Sequence, residues 1–396
     1  MPGFELIGSE ELDEVTDVFR RGGILFRHGF DALRNGSYKV KDFEAAFAVR
    51  MRVADALAVT SGTSALRVAL AALGVGRGDE VITQSFTFVA TVEAIIEAGA
   101  VPICTEIDDT LNMDPRSLER AITPRTKAII PVHMLGTPAR LDEIKATAAR
   151  AGVPVIEDTA WGCGGAFRGT PLGTHGVMGT FSFDFAKTMT TGEGGMVVFT
   201  DAALAAKARA WHDHGHENNP ALPRWEDSRS GSGFNYRMME LQGAVGLAQL
   251  AKLDRVVAGQ RASKALLGQA IADLPGLSFR NVPEGSEETA DAIVFYVKDR
   301  ETARACRLAL VAAGLGTKIL PEAITWHFAG TWGHMPSLVA AHGGDLSAAF
   351  PESRARLDRS VALPVTVNIA ADLPGRVRAA LQPVLAGAVR SEPIRV

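Results

Sequence analysis

Through the first two thirds of the chain, short apolar runs alternate with helix-patterned stretches rich in Ala and Leu. A strand that waits for a helix before its neighbour arrives belongs to a crossover-connected parallel sheet, so the expected class is α/β. Strands are predicted over 56–60, 80–83, 101–105, 127–132, 154–157, 179–184 and 195–200, and helices over 64–73, 87–98, 141–151 and 202–211. Gly99 and Gly152 stand where glycine ends a helix. A long amphipathic segment over 239–274 leads into smaller elements, a strand over 292–298 and a helix over 301–313. Residues 1–250 are therefore expected to form a large, mostly parallel sheet domain with an N-terminal segment, and 251–396 a smaller C-terminal α/β domain. Residues 280–289, with Pro283, Gly285 and several Glu, have the composition of a surface loop.

Charge and cysteine content narrow the function classes. Forty-one Lys and Arg against 45 Asp and Glu leave a net charge of −4, without the basic field that nucleic acid needs. No apolar run is long enough to span a membrane, and the opening residues lack a basic stretch followed by an apolar one, so a cytoplasmic protein is expected. Cys104, Cys163 and Cys306 form no CxxC pair and read as free thiols.

Three stations carry chemistry. Lys187 follows the strand at Ser182 and precedes a loop with Gly192, Gly194 and Gly195. A lysine at a strand end is commonly a surface cation, but burial there would lower its pKa and free the amine for Schiff-base chemistry. At Thr60-Ser61-Gly62-Thr63-Ser64 a helix begins with hydroxyls and a glycine, and its free N–H groups and positive dipole end suit a phosphate. The apolar strand at Val155-Ile156 ends in Glu157 and Asp158, at the sheet edge where α/β proteins bind ligands.

With these stations in order, the sequence resembles the fold-type I pyridoxal phosphate (PLP) enzymes, specifically the DegT/DnrJ/EryC1/StrS family of sugar aminotransferases. The likeness rests on Ser61-Gly62-Thr63, 78–82, 87–91, Pro102-Ile103 with Asp108, Ile156-Glu157-Asp158, Leu172-Gly173-Thr174, 182–195, and 233–238 through Gln249-Leu250. The resemblance implies that Lys187 forms the Schiff base with PLP and then shuttles the proton, and that Asp158 pairs with the pyridine nitrogen. Phe88 would stack on the ring, and Gly62, Thr63 and Ser182 would bind the phosphate. Asn235 would reach the phosphate of a neighbouring subunit, implying a homodimer with shared active sites. The donor would be glutamate or glutamine and the acceptor a keto or aldehyde sugar. Within the family the chain is similar to the aminotransferases that make 8-amino-3,8-dideoxy-octulosonate, through Pro2-Gly3-Phe4-Glu5-Leu6, Phe26-Arg27, Phe30-Asp31, Arg34-Asn35, 213–216 and Trp326-His327. Arg27, Arg34, His214, Arg237 and His327 are the substrate-binding candidates that this likeness supplies.

One departure stands out. Three positions after Asp158, where family members commonly carry Gln or a small polar residue, this chain has Trp161, whose indole N–H donates but cannot accept. A PLP-dependent sugar dehydratase or other elimination, and a PLP-binding regulatory protein without turnover, are the alternatives on the same fold. A metal site at His212, His214 and His216 would need all three on one extended face. Neither glycine cluster, 162–165 or 192–195, completes GxGxxG after a strand.

Overall fold

The computed structural model describes every residue except Met1, Pro220, Ser230, Glu322 and 391–396. Strands β1 (Asp55–Val59), β2 (Glu80–Gln84), β3 (Val101–Thr105), β4 (Thr126–Ile130) and β5 (Ile156–Asp158) are followed by the two-residue strands β6 (Ala166–Phe167) and β7 (Thr170–Pro171). Then come β8 (Met178–Ser182) and β9 (Gly195–Phe199). The main sheet runs β1-β9-β8-β5 and β4-β2-β3, and parallel bridges Ile129 to Val155 and Val132 to Asp158 join the two parts. Every strand but β9 runs the same way; β9 is antiparallel to both β1 and β8. Strands β2, β8 and β9 are buried along their whole length, and of these β9 reads as an unbroken apolar run, whereas β2 and β8 carry buried polar residues such as Thr83, Gln84, Thr180 and Ser182.

The connecting helices start and stop for local reasons. Helices α1 (Ser9–Arg20) and α2 (Lys39–Met51) precede the sheet; Val40, Phe43, Phe47 and Met51 give α2 one buried stripe. Ser61 caps α3 (Gly62–Ala72), and α4 (Val89–Glu97), α5 (Pro115–Ala121) and α6 (Leu141–Ala151) follow. Helix α6 ends at Gly152, in the left-handed region at φ 67°. Asp201 caps α7 (Ala202–Trp211) by accepting from Ala203 and Leu204 amides.

Helix α8 (Glu240–Ile271) runs unbroken past residue 250, packing on α1 and α2. Beyond it, β10 (Ser278–Phe279), β12 (Ala292–Tyr296) and β13 (Ser360–Pro364) form an antiparallel sheet in the order β10-β12-β13, backed by α9 (Arg300–Ala312). Helices α10 (Pro336–Ala341), α11 (Pro351–Asp358) and α12 (Leu373–Arg390) complete this part, and α12 packs on both α8 and α9. Among the described residues, no helix is long and apolar enough to cross a membrane.

Residues 280–289 run largely at the surface, with Asn281, Val282, Glu284, Gly285 and Glu287 exposed, but the segment is anchored at both ends. Strand β11 (Ser286–Glu287) pairs with β6, and Arg280 is buried, its guanidinium donating to the carbonyls of Met134 (3.0 Å) and Leu135 (3.4 Å). Arg280 supplies internal hydrogen bonds, while Glu284 and Glu287 face solvent.

Glu157 locks the sheet edge. Its buried carboxylate accepts the amides of Gly173 (2.9 Å), His175 (2.5 Å) and Gly176 (2.9 Å), and lies 3.1 Å from His133 Nε2. Burial alone would raise this carboxyl's pKa, but His133 and the donated N–H groups outweigh it and hold the group below its usual range. The stabilisation is therefore present at neutral pH and fades as pH falls through the lowered pKa. Glu157→Ala, which orphans His133 and three amides, is expected to cost about 3 kcal/mol, read as a lower urea midpoint at pH 7 with an unchanged slope.

Candidate active site

At the C-terminal edge of the parallel strands lies a cavity of about 370 Å³, lined by Ser61, Gly62 and Thr63 after β1, Thr87, Phe88 and Thr91 after β2, Asp158, Ala160 and Trp161 after β5, Ser182, Asp184 and Lys187 after β8, and His327 from the C-terminal part. One end is built for an anion. Ser61 Oγ accepts the Ser64 N–H (3.0 Å) and Ser64 Oγ accepts the Ser61 N–H (2.8 Å), which leaves the first amides of α3, those of Gly62 and Thr63, without an intrahelical acceptor. A Cβ on Gly62 would fall 2.7 Å from Ser182 Cβ, so glycine is what lets the helix start lie against the Ser182 hydroxyl. Two amides, a helix dipole and a hydroxyl converge there.

Asp158 forms the floor. One carboxylate oxygen accepts the Thr91 hydroxyl (2.9 Å) and the other the Ala160 amide (3.1 Å). Because the single Thr91 proton goes to Asp158, the contact to Thr87 at 2.8 Å is a hydroxyl donated by Thr87. Burial pushes the Asp158 carboxyl up despite these donors and the charge of Lys187, so a cation arriving at the floor would favour its ionised form. Thr91 had no role at the sequence level; its signal was the four-residue spacing of Thr87 and Thr91 across the start of α4, where the two hydroxyls meet.

Lys187 stands on the loop between β8 and β9. Its Nζ lies 3.7 Å from the centre of the Trp161 ring, and burial lowers its pKa to about 8, against the upward pull of Asp291, Asp184 and Asp158. Lys318 approaches the same indole at 5.0 Å while paired with Asp291 at 2.5 Å. The segment carrying His327 is stitched to the large sheet by Thr87 N–H to the His327 carbonyl (2.9 Å) and Ala329 N–H to the Ser85 carbonyl (2.8 Å). That places the His327 ring 5.4 Å from Phe88 and 6.5 Å from Trp161, with Trp326 stacked on Phe88 at 6.3 Å. Glu193, which the sequence did not single out, lines the cavity from the far end of the lysine loop.

The cavity thus gathers Gly62, Thr63, Phe88, Asp158, Trp161, Ser182, Lys187 and His327. It does not gather the rest. Arg27 is buried, donating to Glu44 (2.9 Å) and the Ala58 carbonyl (3.1 Å). Arg34 is buried as well, donating to the Gly29 carbonyl (2.6 Å) and pairing with Glu240 at 3.6 Å. Both guanidiniums tie the N-terminal segment to the sheet and α8. Arg237 pairs with buried Asp213 and lies 5.3 Å over the Phe26 ring; Asn235 and His214 are exposed outside the cavity. His212, His214 and His216 share no face, because His212 ends α7 and hydrogen-bonds the Arg209 carbonyl, His214 turns outward at φ 56°, and His216 faces Asp227 at 3.2 Å. Cys163 is buried and its thiol is pushed up to about 12, which suits packing rather than nucleophilic chemistry.

The model of the DegT/DnrJ/EryC1/StrS aminotransferase family matches residues 9–382. The chain belongs to this family. Solved structures similar to it include the aminotransferase from Psychrobacter cryohalolentis, at 27% identity and TM-score 0.83 over 96% of this chain and 98% of that one. DesV of S. venezuelae follows at 28% identity and TM-score 0.80, over 95% and 94%. The sugar aminotransferase CalS13 from Micromonospora echinospora is 27% identical with TM-score 0.82, over 95% and 97%. The protein is accordingly an enzyme with the fold-type I architecture, an aminotransferase, and its cofactor is PLP.

For a DegT-family enzyme the depressed Lys187 pKa has a measurable cost. An ammonium whose pKa falls from 10.5 to about 8 destabilises the cofactor-free fold by up to about 3 kcal/mol below pH 8, and the penalty is relieved as pH rises toward 10.5. Lys187→Met is expected to raise the melting temperature of the cofactor-free protein at pH 7, with the gain shrinking as pH rises. Competitive labelling of wild-type Lys187 by an amine-acylating reagent should titrate near pH 8.

Proposed function

We propose that this enzyme takes an amino group from glutamate or glutamine and delivers it to the carbonyl carbon of an acidic sugar of the octulosonate kind, with Lys187 as the reactive amine. The observation that carries this reading is a single cavity holding a lysine whose pKa lies near 8, a buried carboxylate at its floor and an anion seat at its end. These features fit PLP: Gly62, Thr63 and Ser182 would hold its phosphate, Asp158 its protonated ring nitrogen, and Phe88 a face of the ring. PLP supplies an aldehyde that accepts the amino group and a ring that withdraws electrons from the carbon being deprotonated.

This chain's residues do the rest. Lys187 Nζ, part of its population neutral at pH 7, is the base that takes the proton from the donor's α-carbon and the acid that returns one. Thr91, supplied with a proton by Thr87, keeps Asp158 oriented while it holds charge. Trp161, Phe88 and His327 wall the lysine off from water, and His327 with Trp326 would read the acceptor at the mouth. Exposed Asn235 would complete the phosphate seat of a second copy, and the exposed Phe30, Leu33, Phe234 and Trp225 are apolar surface of the kind a second copy covers.

One observation favours a second reading, an elimination such as sugar dehydration. Trp161 stands where an acceptor-competent polar side chain is usual, and its ring meets the Lys187 amine. The two readings part on a half-reaction. PLP-loaded enzyme mixed with L-glutamate or L-glutamine, without acceptor, is expected to release the corresponding 2-oxo acid in an amount equal to the active sites, and Lys187→Ala to release none. Absence of 2-oxo acid from both donors would reject the aminotransfer proposed here for these donors.

A further inference from the structure

The N-terminal residues 2–7 cross beneath the lysine loop and are joined to the lysine itself. The Gly3 N–H donates to the carbonyl of Lys187 at 3.1 Å. Gly3 is buried, and a Cβ there would lie 2.8 Å from Met189 Cα, so the contact exists only because residue 3 has no side chain. The Phe4 ring packs on Phe185, the ring two residues before Lys187, at 4.9 Å. The strap is then fixed on both sides. The Leu6 carbonyl accepts Lys252 Nζ of α8 at 2.8 Å, and Glu5 accepts the Val367 N–H at 2.9 Å.

The same anchors reach the loop from the other side. Gln249 accepts the Thr190 N–H (3.2 Å) and donates to Glu11 (2.8 Å), and Glu11 in turn accepts Lys252 (2.7 Å). The loop holding Lys187 therefore hangs between the strap and α8, with its backbone position set at residues 187 and 190. Within the loop, the Lys187 N–H donates to the Asp184 carbonyl at 3.0 Å. With both the amide and the carbonyl of Lys187 bonded, its Cα has little freedom, and the four-carbon stem is left to place the amine against Trp161.

We propose that residues 2–7 are a positioning strap for Lys187, with Gly3 the residue that sets where the reactive amine stands. Gly3 and Phe4 are not themselves part of the cavity lining or the anion seat; Gly3 meets the backbone of Lys187 and Phe4 the ring of Phe185, so their effect passes through the loop. The proposal rests on Lys187 being the reactive amine, and it predicts a specific division of effects. Disturbing the strap slows every step in which the amine must reach its target, because small misplacements of a reacting group are costly. Binding of the cofactor's phosphate at Gly62, Thr63 and Ser182 is untouched.

Two variants test this. Gly3 has φ −63°, which proline accepts, so Gly3→Pro removes the donated N–H and introduces the forbidden Cβ without altering that torsion. Phe4→Ala removes only a half-exposed ring contact and so preserves folding. Each protein is incubated with saturating PLP, quenched with borohydride at intervals, and the cofactor mass on the Lys187 peptide is followed, beside kcat, KM for the donor, PLP affinity and melting temperature. In Gly3→Pro the attachment rate and kcat are expected to fall at least about tenfold, and in Phe4→Ala in the same direction by less, with PLP affinity and KM near wild type. Wild-type attachment rates in both variants would overturn the strap, as would losses matched by equal losses in PLP affinity and melting temperature. If Gly3→Pro does not fold, Phe4→Ala decides alone. A wild-type protein that fixes no cofactor on Lys187 would instead fail the reading under Proposed function, a separate outcome.

Discussion

The dehydration of one amine organises this molecule. An ammonium normally keeps its water, and Lys187 loses it by standing on the face of Trp161 inside a cavity whose carboxylates approach without neutralising it. The remaining architecture follows from that requirement. The sheet supplies a rigid edge at which three parallel strands deliver the helix start at Gly62, the carboxylate of Asp158 and the hydroxyl of Ser182. Strand β9 reverses direction because the loop that carries Lys187 must leave β8 and return at the same edge.

Two sets of buried polar contacts hold this arrangement. Thr87, Thr91 and Asp158 form a directed chain of hydroxyls ending on a carboxylate whose charge is disfavoured by burial. Next to it on the same strand, Glu157 faces the opposite problem and solves it with three backbone amides and His133, so that adjacent carboxyls have pKa values pushed in opposite directions. The former is open to a cation from the cavity, and the latter is closed and serves the fold. Neighbouring acids thus take different duties because of their donors, a distinction that residue type alone cannot convey.

Much of the fold was legible in the sequence because it is written in periodicity. The helices over 141–151 and 202–211 have the predicted bounds, the first with Gly152 as its stop, and β3 was read to the residue. Helices α1 and α2 were not read, although the spacing of Val40, Phe43, Phe47 and Met51 carried the signal. The loop character of 280–289 was legible in its composition, whereas the burial of Arg280 was not, because its main-chain acceptors lie more than a hundred positions away. At the site, residues bound to local motifs came together as expected, whereas the arginines did not: Arg27 and Arg34 are consumed by Glu44, Glu240 and main-chain carbonyls that only the tertiary structure brings near. Thr91 and Gly3 stood within recognised motifs but had no role there for the same reason, since each acts through a residue distant in sequence.

The central claim is that one particular lysine is the reactive amine, and a second lysine on the same indole provides an internal control. Wild-type protein loaded with PLP, reduced with borohydride and digested should carry the cofactor mass on the Lys187 peptide and not on the peptide holding Lys318, whose ammonium is held by Asp291. Cofactor fixed on Lys318, or spread over surface lysines with none on Lys187, would contradict the account.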